Sequence, residues 1–256
     1  MGARLAIVTG AAGDIGRAIA ARLRKDHDLV VLADRDLAAA EKAVALLGDG
    51  FRAVQVDVTD AGSCAALAAT VAPWGAVATL VNNAGAALGA SLHATSVADW
   101  QADRALNLDA AWLVFQALAE QLKAAQGSVV NIVSVNGMSV FGHPAYSAAK
   151  AGMIHLTRLI AVEYGRHGVR ANAVAPGTVR TQAWEARAAA NPNVFDEAAA
   201  HYALGRIALP SDVAEAVGFL ASPLAAAITG VTLPVDCGLT AGIPALARTF
   251  SQSADY

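Results

Sequence analysis

Charge and cysteine are both scarce in this sequence. Charged side chains make up 15% of the 256 residues, the net charge at pH 7 is −3, and lysine and arginine nowhere form a run. Proteins that bind nucleic acid usually carry a basic patch, so we expect no nucleic-acid partner. Two cysteines, Cys64 and Cys237, are too few for a disulfide framework and lack metal-ligand spacing. We expect free, buried thiols and no bound metal.

Long apolar runs are also missing. No stretch reaches the roughly 18 residues that indicate a membrane span. The sequence begins without a basic segment followed by a long apolar one, and no linker divides it. We therefore expect a cytoplasmic protein that does not bind a membrane, folded as a single domain over residues 1–256.

Hydrophobic residues are abundant, at 56%, and occur in short runs that alternate with helical patterns. The runs at 5–8 and 29–32 are continuous, which is typical of strands buried on both faces of a parallel sheet. Regular alternation of strand and helix predicts an α/β fold: a doubly wound, Rossmann-like parallel sheet of about seven strands with helices on both faces. Ligands of such folds bind beyond the carboxyl ends of the strands.

A glycine-rich turn follows the first apolar run. Residues 9–16 read Thr-Gly-Ala-Ala-Gly-Asp-Ile-Gly, and a helical pattern continues through Leu23. Between a strand and a helix, such a turn directs backbone N–H groups and the helix dipole at a phosphate. A glycine triplet alone is a weak signal. In this position it predicts a dinucleotide site.

Asp34 ends the second apolar run, about 20 residues beyond the glycine turn. A carboxylate at that place accepts hydrogen bonds from the adenosine ribose hydroxyls and repels a 2′-phosphate. The sequence therefore favours NAD over NADP. Arg35 is the counter-argument, because a guanidinium beside the ribose can bind that phosphate. The other interpretation of Asp34 is a helix cap, which is compatible with ribose binding.

Ser134, Tyr146 and Lys150 are expected to converge beyond the strand at 128–133. Pro144 suits the start of a helix, on which Tyr146 and Lys150, four residues apart, share one face. A phenol has a pKa of about 10, and a nearby ammonium would lower it towards the range useful for acid–base catalysis. Taken alone, the tyrosine and lysine are more often ordinary surface residues. None of the three groups accepts a hydride, so redox chemistry here needs a cofactor.

These and several other polar or glycine-containing motifs each follow a predicted strand. The residues that mark these motifs are Gly10, Asp34, Asp57, Asn83, Ser134 and Pro176. Because the carboxyl ends of parallel strands lie at one edge of a sheet, the motifs should meet there. Their common position predicts a redox site rather than a set of unrelated surface features.

From Thr9 to about Gly238 the sequence resembles the short-chain dehydrogenase/reductase family. The resemblance rests on the Thr-Gly turn, Asp57, Asn-Asn-Ala-Gly at 82–85, Ser134, Tyr-Ser-Ala-Ala-Lys at 146–150 and Pro-Gly-Thr-Val-Arg-Thr at 176–181. It implies a catalytic tetrad of Asn107, Ser134, Tyr146 and Lys150. It also implies that the enzyme is a homotetramer, assembled through the helices that carry Asn107 and Tyr146 and through the last strand.

In that family pattern Tyr146 is the acid/base, Ser134 orients the substrate oxygen, and Lys150 lowers the pKa of the phenol and holds the nicotinamide ribose. Asn107 supports a relay water, although alone it would more often be a helix-interior residue bonded to backbone. The cofactor-binding residues implied are Gly10, Gly13, Asp14, Ile15, Gly16, Asp34, Arg35, Asp57, Val58, Asn83, Ala84, Gly85, Tyr146, Lys150, Pro176, Gly177, Val179 and Thr181.

Two positions depart from the family pattern. Asp14 stands where the second glycine of the turn is usual, so its carboxylate either points outward, caps the helix or weakens cofactor binding. Ser134 and Tyr146 are twelve residues apart instead of thirteen. The shorter turn should reshape the substrate pocket without removing a catalytic group.

The substrate is the least determined part. We expect a small secondary alcohol or its ketone, with polyols, sugars and aromatic alcohols as candidates, bordered by Asn136, His143 and Trp184. Residues 182–205 are interpreted as a lid. Arg187 in that segment either binds an acidic substrate group or is an ordinary surface arginine. The apolar tail after Gly242 either packs on a neighbouring subunit or frays.

Two other functions remain open. An NADP-dependent 3-ketoacyl-thioester reductase shares the fold, but it needs a basic patch for an acidic carrier, and none is evident. A non-catalytic scaffold that senses dinucleotides belongs to another class, and the intact Ser134, Tyr146 and Lys150 set argues against it.

Overall fold

The computed structural model describes residues 2–255, of which residues 185–187 are described by their backbone alone. Seven strands occur within that range: β1 (Arg4–Thr9), β2 (Leu29–Asp34), β3 (Phe51–Gln55), β4 (Ala76–Asn82), β5 (Ser128–Ile132), β6 (Arg170–Pro176) and β7 (Thr232–Val235). They form one sheet in the order β3-β2-β1-β4-β5-β6-β7. Every neighbouring pair is parallel. The predicted fold class is confirmed.

Helices connect the strands on both faces of the sheet. They are α1 (Asp14–Leu23), α2 (Leu37–Leu47), α3 (Ala61–Val71), α4 (Val97–Arg104), α5 (Ala110–Ala125), α6 (Pro144–Tyr164), α7 (Glu185–Ala190), α8 (Val194–Ala199), α9 (Pro210–Ala221) and α10 (Pro244–Ser251). A π-helical segment, Ala105–Asp109, joins α4 to α5, and a short 3₁₀ helix, Val135–Gly137, follows β5.

The core consists of two main apolar layers, one on each face of the sheet. Leu5, Ile7 and Val31 pack with Phe115 and Leu118 on one face. The alternate residues of the same strands pack with α1 and α9 on the other face. Because side chains of a strand point alternately to its two faces, a strand covered on both sides must be apolar throughout. This is why the continuous apolar runs predicted the strands well.

The strand order places the binding crevice. The chain runs outward from β1 to β2 and β3, and then returns to place β4 on the other side of β1. The connections after β1 and β4 therefore diverge to opposite faces and leave a gap between them, which is the usual position of a nucleotide in this type of sheet. The glycine turn after β1 and residues 82–85 after β4 lie at this gap.

Several features of the described residues differ from the sequence-based expectations. Helix α4 and the π-helical segment were not predicted, and the tail does not fray but forms α10. Cys64 and Cys237 are free as expected, but Cys237 is only partly buried. Among residues 2–255, no helix combines the length and apolar character needed to cross a bilayer. Nor do these residues include a cluster of three His, Cys, Asp or Glu side chains suited to a metal.

Candidate active site

The glycine turn is fastened to the end of β4 by hydrogen bonds. The Asn83 side-chain amide donates to the carbonyls of Thr9 (2.9 Å) and Gly10 (3.1 Å). In return, the Thr9 hydroxyl accepts from the backbone N–H groups of Asn83 and Ala84, at 3.0 and 3.1 Å. Asn83 lines the crevice as expected, but its amide group is used to hold the turn in shape.

Gly10 is required at its position by both conformation and space. Its φ is +62°, a conformation that residues other than glycine rarely adopt. A Cβ atom at this position would lie 2.8 Å from the Cα atom of Ala84. No ordinary side chain fits that contact without moving the backbone. The glycine therefore lets the two turns at the switch point lie directly against each other.

Asp34 connects the end of β2 to the same turn. Its carboxylate accepts from the backbone N–H groups of Ala12 (3.0 Å) and Asp36 (3.1 Å) and is half-buried at the crevice edge. Asp34 does not cap α2, which was the other interpretation of this residue. The N-cap of α2 is Asp36, whose side chain accepts from the N–H of Ala39. Arg35 is exposed beside it.

Asp57 occupies the corresponding place after β3. Its carboxylate accepts from the hydroxyl (2.6 Å) and the backbone N–H (2.9 Å) of Thr59. These two hydrogen bonds lower the pKa of Asp57, so the group is an anion fixed at the rim. Val58 beside it is buried.

Asp14 neither caps a helix nor points freely outward. The residue at the N-cap of α1 is Gly13, and the Asp14 carboxylate instead forms an ion pair with Arg17 (2.5 Å). It also accepts from the backbone N–H of Gln182, at 2.6 Å. The unusual aspartate thus ties the start of the segment interpreted as a lid to the glycine turn, and Arg17 partly neutralises its charge.

Ser134, Tyr146 and Lys150 converge as expected, despite the shorter turn between Ser134 and Tyr146. All three border one cavity, and the Ser134 hydroxyl is near enough to the Tyr146 phenol to influence its pKa. Ser134 is held by Asn136, whose backbone N–H donates to the serine hydroxyl at 3.1 Å and whose side-chain oxygen accepts from it at 3.3 Å. The Asn136 amide also donates to the Gly142 carbonyl (2.9 Å), which pins the turn before α6.

The expected lowering of the phenol pKa is not found in the cofactor-free protein. Burial raises the pKa of Tyr146, the hydrogen bond from Ser134 partly opposes this rise, and the negative charge of buried Asp103 adds to it. The prediction was wrong because it considered the neighbouring lysine and not the low-dielectric surroundings. In this state Tyr146 is poised as a proton donor.

Lys150 is buried at the centre of the site. Its Nζ atom donates to the Ile132 carbonyl at 2.8 Å and lies 5.6 Å from the centre of the Tyr146 ring. Burial lowers the pKa of Lys150 to about 7, because an ammonium loses hydration there and no carboxylate replaces it. The group can therefore gain or lose a proton near neutral pH.

Asn107 lies in the π-helical segment and faces the same point as Lys150. Its amide donates to the carbonyls of Ala86 (2.7 Å) and Asp103 (2.9 Å). Its side-chain oxygen is buried with no hydrogen-bond partner among the described residues. A Cβ atom on Gly85 would lie 2.7 Å from that oxygen and 3.3 Å from Lys150 Nζ. Glycine at 85 thus keeps open a small polar space between the two side chains.

The cavity beyond these strand ends has a volume of about 1370 Å³. Of the residues predicted for the site, those that line it are Ile15, Asn83, Gly85, Ser134, Asn136, His143, Tyr146, Lys150, Pro176, Gly177, Val179, Thr181 and Trp184. Those that lie outside the lining are Gly10, Gly13, Asp14, Gly16, Asp34, Arg35, Asp57, Val58, Ala84 and Asn107. The side chain of Arg187 falls outside the described residues.

Comparison with known proteins decides the family. A family model described as Enoyl-(Acyl carrier protein) reductase matches residues 10–240. The chain belongs to the short-chain dehydrogenase/reductase family. A solved oxidoreductase of this family from Burkholderia thailandensis is 44% identical, with a TM-score of 0.94 and 100% of both chains covered.

Curated relatives of this short-chain dehydrogenase/reductase include named dehydrogenases. The cis-4-hydroxycyclohexanecarboxylate dehydrogenase of Sinomonas cyclohexanicum is 41% identical, covering 93% of this chain and 97% of the relative. The meso-2,3-butanediol dehydrogenase of Serratia marcescens is 35% identical, covering 93% and 95%. These relatives support an oxidoreductase that acts on CH–OH groups.

The site of this family member fits a dinucleotide. The glycine turn gives close backbone access at the start of α1, and the cavity extends from Ile15 at that turn to Tyr146. The Asn107 side-chain oxygen has no hydrogen-bond partner among the described residues, and Lys150 Nζ donates to one carbonyl, that of Ile132. Both groups can therefore form further hydrogen bonds to a ligand or to water.

Sequence reasoning missed two parts of the site and one role of a residue that it had named. Asp103 is a buried carboxylate on α4 that accepts from the Leu88 N–H at 3.2 Å. Ile243 and Pro244 line the cavity, so the tail contributes to the pocket. Asn136 borders the cavity as predicted, and in addition it positions Ser134. Asp103 could have been predicted to lie near the site, because it precedes Asn107 by four residues on a helical pattern. The position of the tail could not, because it depends on tertiary packing.

The buried lysine should destabilise the cofactor-free enzyme in a pH-dependent way. Lys150 has a pKa of about 7 in the folded protein and an ordinary value of 10.5 when unfolded. Between these values the unfolded chain binds the extra proton, so the free energy of unfolding rises with pH. We expect Lys150→Met to be more stable than the wild type by about 1–3 kcal/mol at pH 7, after allowing for the lost hydrogen bond to Ile132.

Urea unfolding of both proteins at pH 7 and pH 9.5 measures this difference. The advantage of Lys150→Met should shrink at the higher pH. An advantage that is constant or grows with pH would show that Lys150 is not the source.

Proposed function

We propose that this protein is an NAD-dependent dehydrogenase that interconverts a secondary alcohol and its ketone. The observation that carries the proposal is the convergence of Ser134, Tyr146 and Lys150 on a cavity that begins at the glycine turn. Their positions match the catalytic roles that the family resemblance implies. The relatives named above act on a ring alcohol and a diol, both of which carry a secondary hydroxyl.

The chain's own part in the reaction is to orient an oxygen and move a proton. Ser134 is positioned by Asn136, and it donates to the substrate oxygen once its hydroxyl hydrogen turns away from the Asn136 side-chain oxygen. In ketone reduction the Tyr146 hydroxyl gives its proton to that oxygen, and in alcohol oxidation the phenolate takes it back. When bound, NAD supplies the hydride acceptor and a positive ring that favours the phenolate.

Lys150 and Asn107 would restore the proton on Tyr146. A lysine with a pKa near 7 exchanges protons at neutral pH. The open space between Lys150 Nζ and the unpaired Asn107 oxygen suits a water molecule that links the two. Together they would form the inner end of a proton path.

Asp34 is the basis for proposing NAD. Its half-buried carboxylate stands beside the glycine turn, and a 2′-phosphate there would meet a fixed negative charge. Arg35 beside it is exposed, so water screens its charge more than that of the half-buried carboxylate. The backbone around Thr181 and the rims formed by Asp57 and Val58 would hold the remaining parts of the dinucleotide.

A panel of secondary alcohols, diols and sugars tests the function, with absorbance at 340 nm reporting reduced cofactor. We expect NAD to be reduced with at least one of them, at a kcat/KM about 100-fold above that with NADP. A protein that reduces only a 3-ketoacyl thioester with NADPH would instead be the rival reductase. No turnover in any combination would support the sensing scaffold.

We also propose a homotetramer. Trp112 on α5 and Leu159 and Val162 on α6 are 47%, 53% and 84% exposed, which forms an apolar face on the two helices that the family resemblance assigns to subunit contact. Sedimentation equilibrium measures the assembly directly.

A further inference from the structure

His143 is held in one orientation at the wall of the cavity. It is the residue before Pro144, with a φ of 52°, and its ring Nδ1 lies 2.9 Å from the Gly89 carbonyl. Because a carbonyl can only accept, Nδ1 must carry the hydrogen of this bond. The contact therefore fixes the tautomer and joins the turn before α6 to the loop after β4.

The second ring nitrogen is consequently an acceptor. In a neutral imidazole whose Nδ1 is protonated, Nε2 carries a lone pair and no hydrogen. Nε2 has no hydrogen-bond partner in the described part of the chain, and the ring lines the cavity. A ligand that offers a hydroxyl hydrogen at this place would complete the hydrogen bonding of the ring.

His143 stands at the end of α6 that carries Tyr146. It is the N-cap residue of that helix, and its carbonyl accepts from the Ser147 N–H at 2.8 Å. The neighbouring Gly142 carbonyl accepts from Asn136, which holds Ser134. His143 and the Ser134–Tyr146 pair therefore border the same cavity, and Asn136 links the turn before His143 to Ser134.

The charge of the lining favours a neutral polar substrate. The described lining residues include no aspartate or glutamate, so the imidazole faces no carboxylate in the cavity. We propose that His143 selects substrates with a second hydroxyl close to the carbinol being oxidised, and accepts a hydrogen bond from that hydroxyl at Nε2. The substrate class is then a diol or polyol. This inference rests on the proposed function, because it concerns the same site.

Two substitutions separate the two ring nitrogens. Asparagine tolerates the left-handed backbone and can place its amide near the position of Nδ1, so His143→Asn keeps the bond to Gly89 and removes Nε2. Glutamine reaches further, so His143→Gln restores an acceptor near Nε2. Exposed His93, in the loop after β4 but outside the cavity lining, provides the control His93→Asn.

The measurement is kcat/KM with NAD for three matched probes: 2,3-butanediol, 2-butanol and 3-hydroxybutanoate. We expect the wild type to prefer the diol over 2-butanol, and His143→Asn to lower that preference about tenfold, as for the loss of one hydrogen bond. His143→Gln should recover part of it, and His93→Asn should retain it.

Four results would overturn the inference. A purely structural histidine would lower activity on the diol and 2-butanol together and leave their ratio unchanged. If His143 were protonated, the substitution would lower kcat/KM most for 3-hydroxybutanoate, whose carboxylate would pair with the imidazolium. If the wild type oxidises no alcohol, the proposed function fails and the inference falls with it, whereas oxidation of 2-butanol and the diol with equal efficiency refutes the inference alone.

Discussion

Replacing Tyr146 by phenylalanine is expected to lower kcat for alcohol oxidation by about 10³-fold. The substitution removes one oxygen from a residue whose ring is largely packed, so the cavity and the dinucleotide crevice should keep their shape. What is lost is the phenol that borders the cavity together with Ser134 and Lys150. Steady-state rates at several pH values measure the effect, and the remaining activity should no longer rise with pH.

Tyr164 provides the matched control because it lies on the same helix. Its ring packs edge-on against Phe115 at 4.8 Å, remote from the cavity lining. Tyr164→Phe makes the same chemical change and should retain nearly full turnover. Fluorescence titration with NADH should give similar affinities for both variants and the wild type. Normal alcohol oxidation by Tyr146→Phe would refute the proposed proton path.

The second large effect is expected at Asp34, which we propose sets the cofactor preference. In Asp34→Ser the carboxylate that would repel a 2′-phosphate is gone, and exposed Arg35 beside it becomes available to pair with that phosphate. We expect the ratio of kcat/KM for NADP to that for NAD to rise by about 100-fold or more. Affinity for NAD should fall as well, because the Ala12 N–H loses its acceptor.

Asp36→Ser separates this effect from a general loss of charge. Asp36 is two residues away and caps α2, and serine caps a helix about as well as aspartate. Its cofactor ratio should match that of the wild type. An unchanged ratio in Asp34→Ser, or an equal shift in Asp36→Ser, would contradict the role of Asp34.

The sheet could be predicted from sequence because it depends on local pattern. The strands β1, β2 and β4 are buried on both faces along most of their length, so their apolar runs are nearly continuous, and the motifs mark the carboxyl ends. The convergence of Ser134, Tyr146 and Lys150 followed from helical spacing and from the common edge of the sheet. The π-helical segment was not predicted, because its first residues continue an ordinary helical pattern.

Features that depend on contacts between distant segments could not be predicted. The carboxylate of Asp14 is bonded to Gln182, 168 residues later in the chain, and nothing near either residue announces this contact. The raised pKa of Tyr146 comes mainly from burial, which only the folded structure reveals. The fixed tautomer of His143 depends on Gly89 in another loop.

The most direct measurement is a crystal structure of the protein with NAD and the ketone product, a combination that cannot react. The proposed mechanism predicts the ketone oxygen within about 2.6–3.2 Å of both Tyr146 Oη and Ser134 Oγ, with the nicotinamide against the carbonyl carbon. A Tyr146 hydroxyl turned away from the ketone, or a crevice that does not admit NAD, would contradict it.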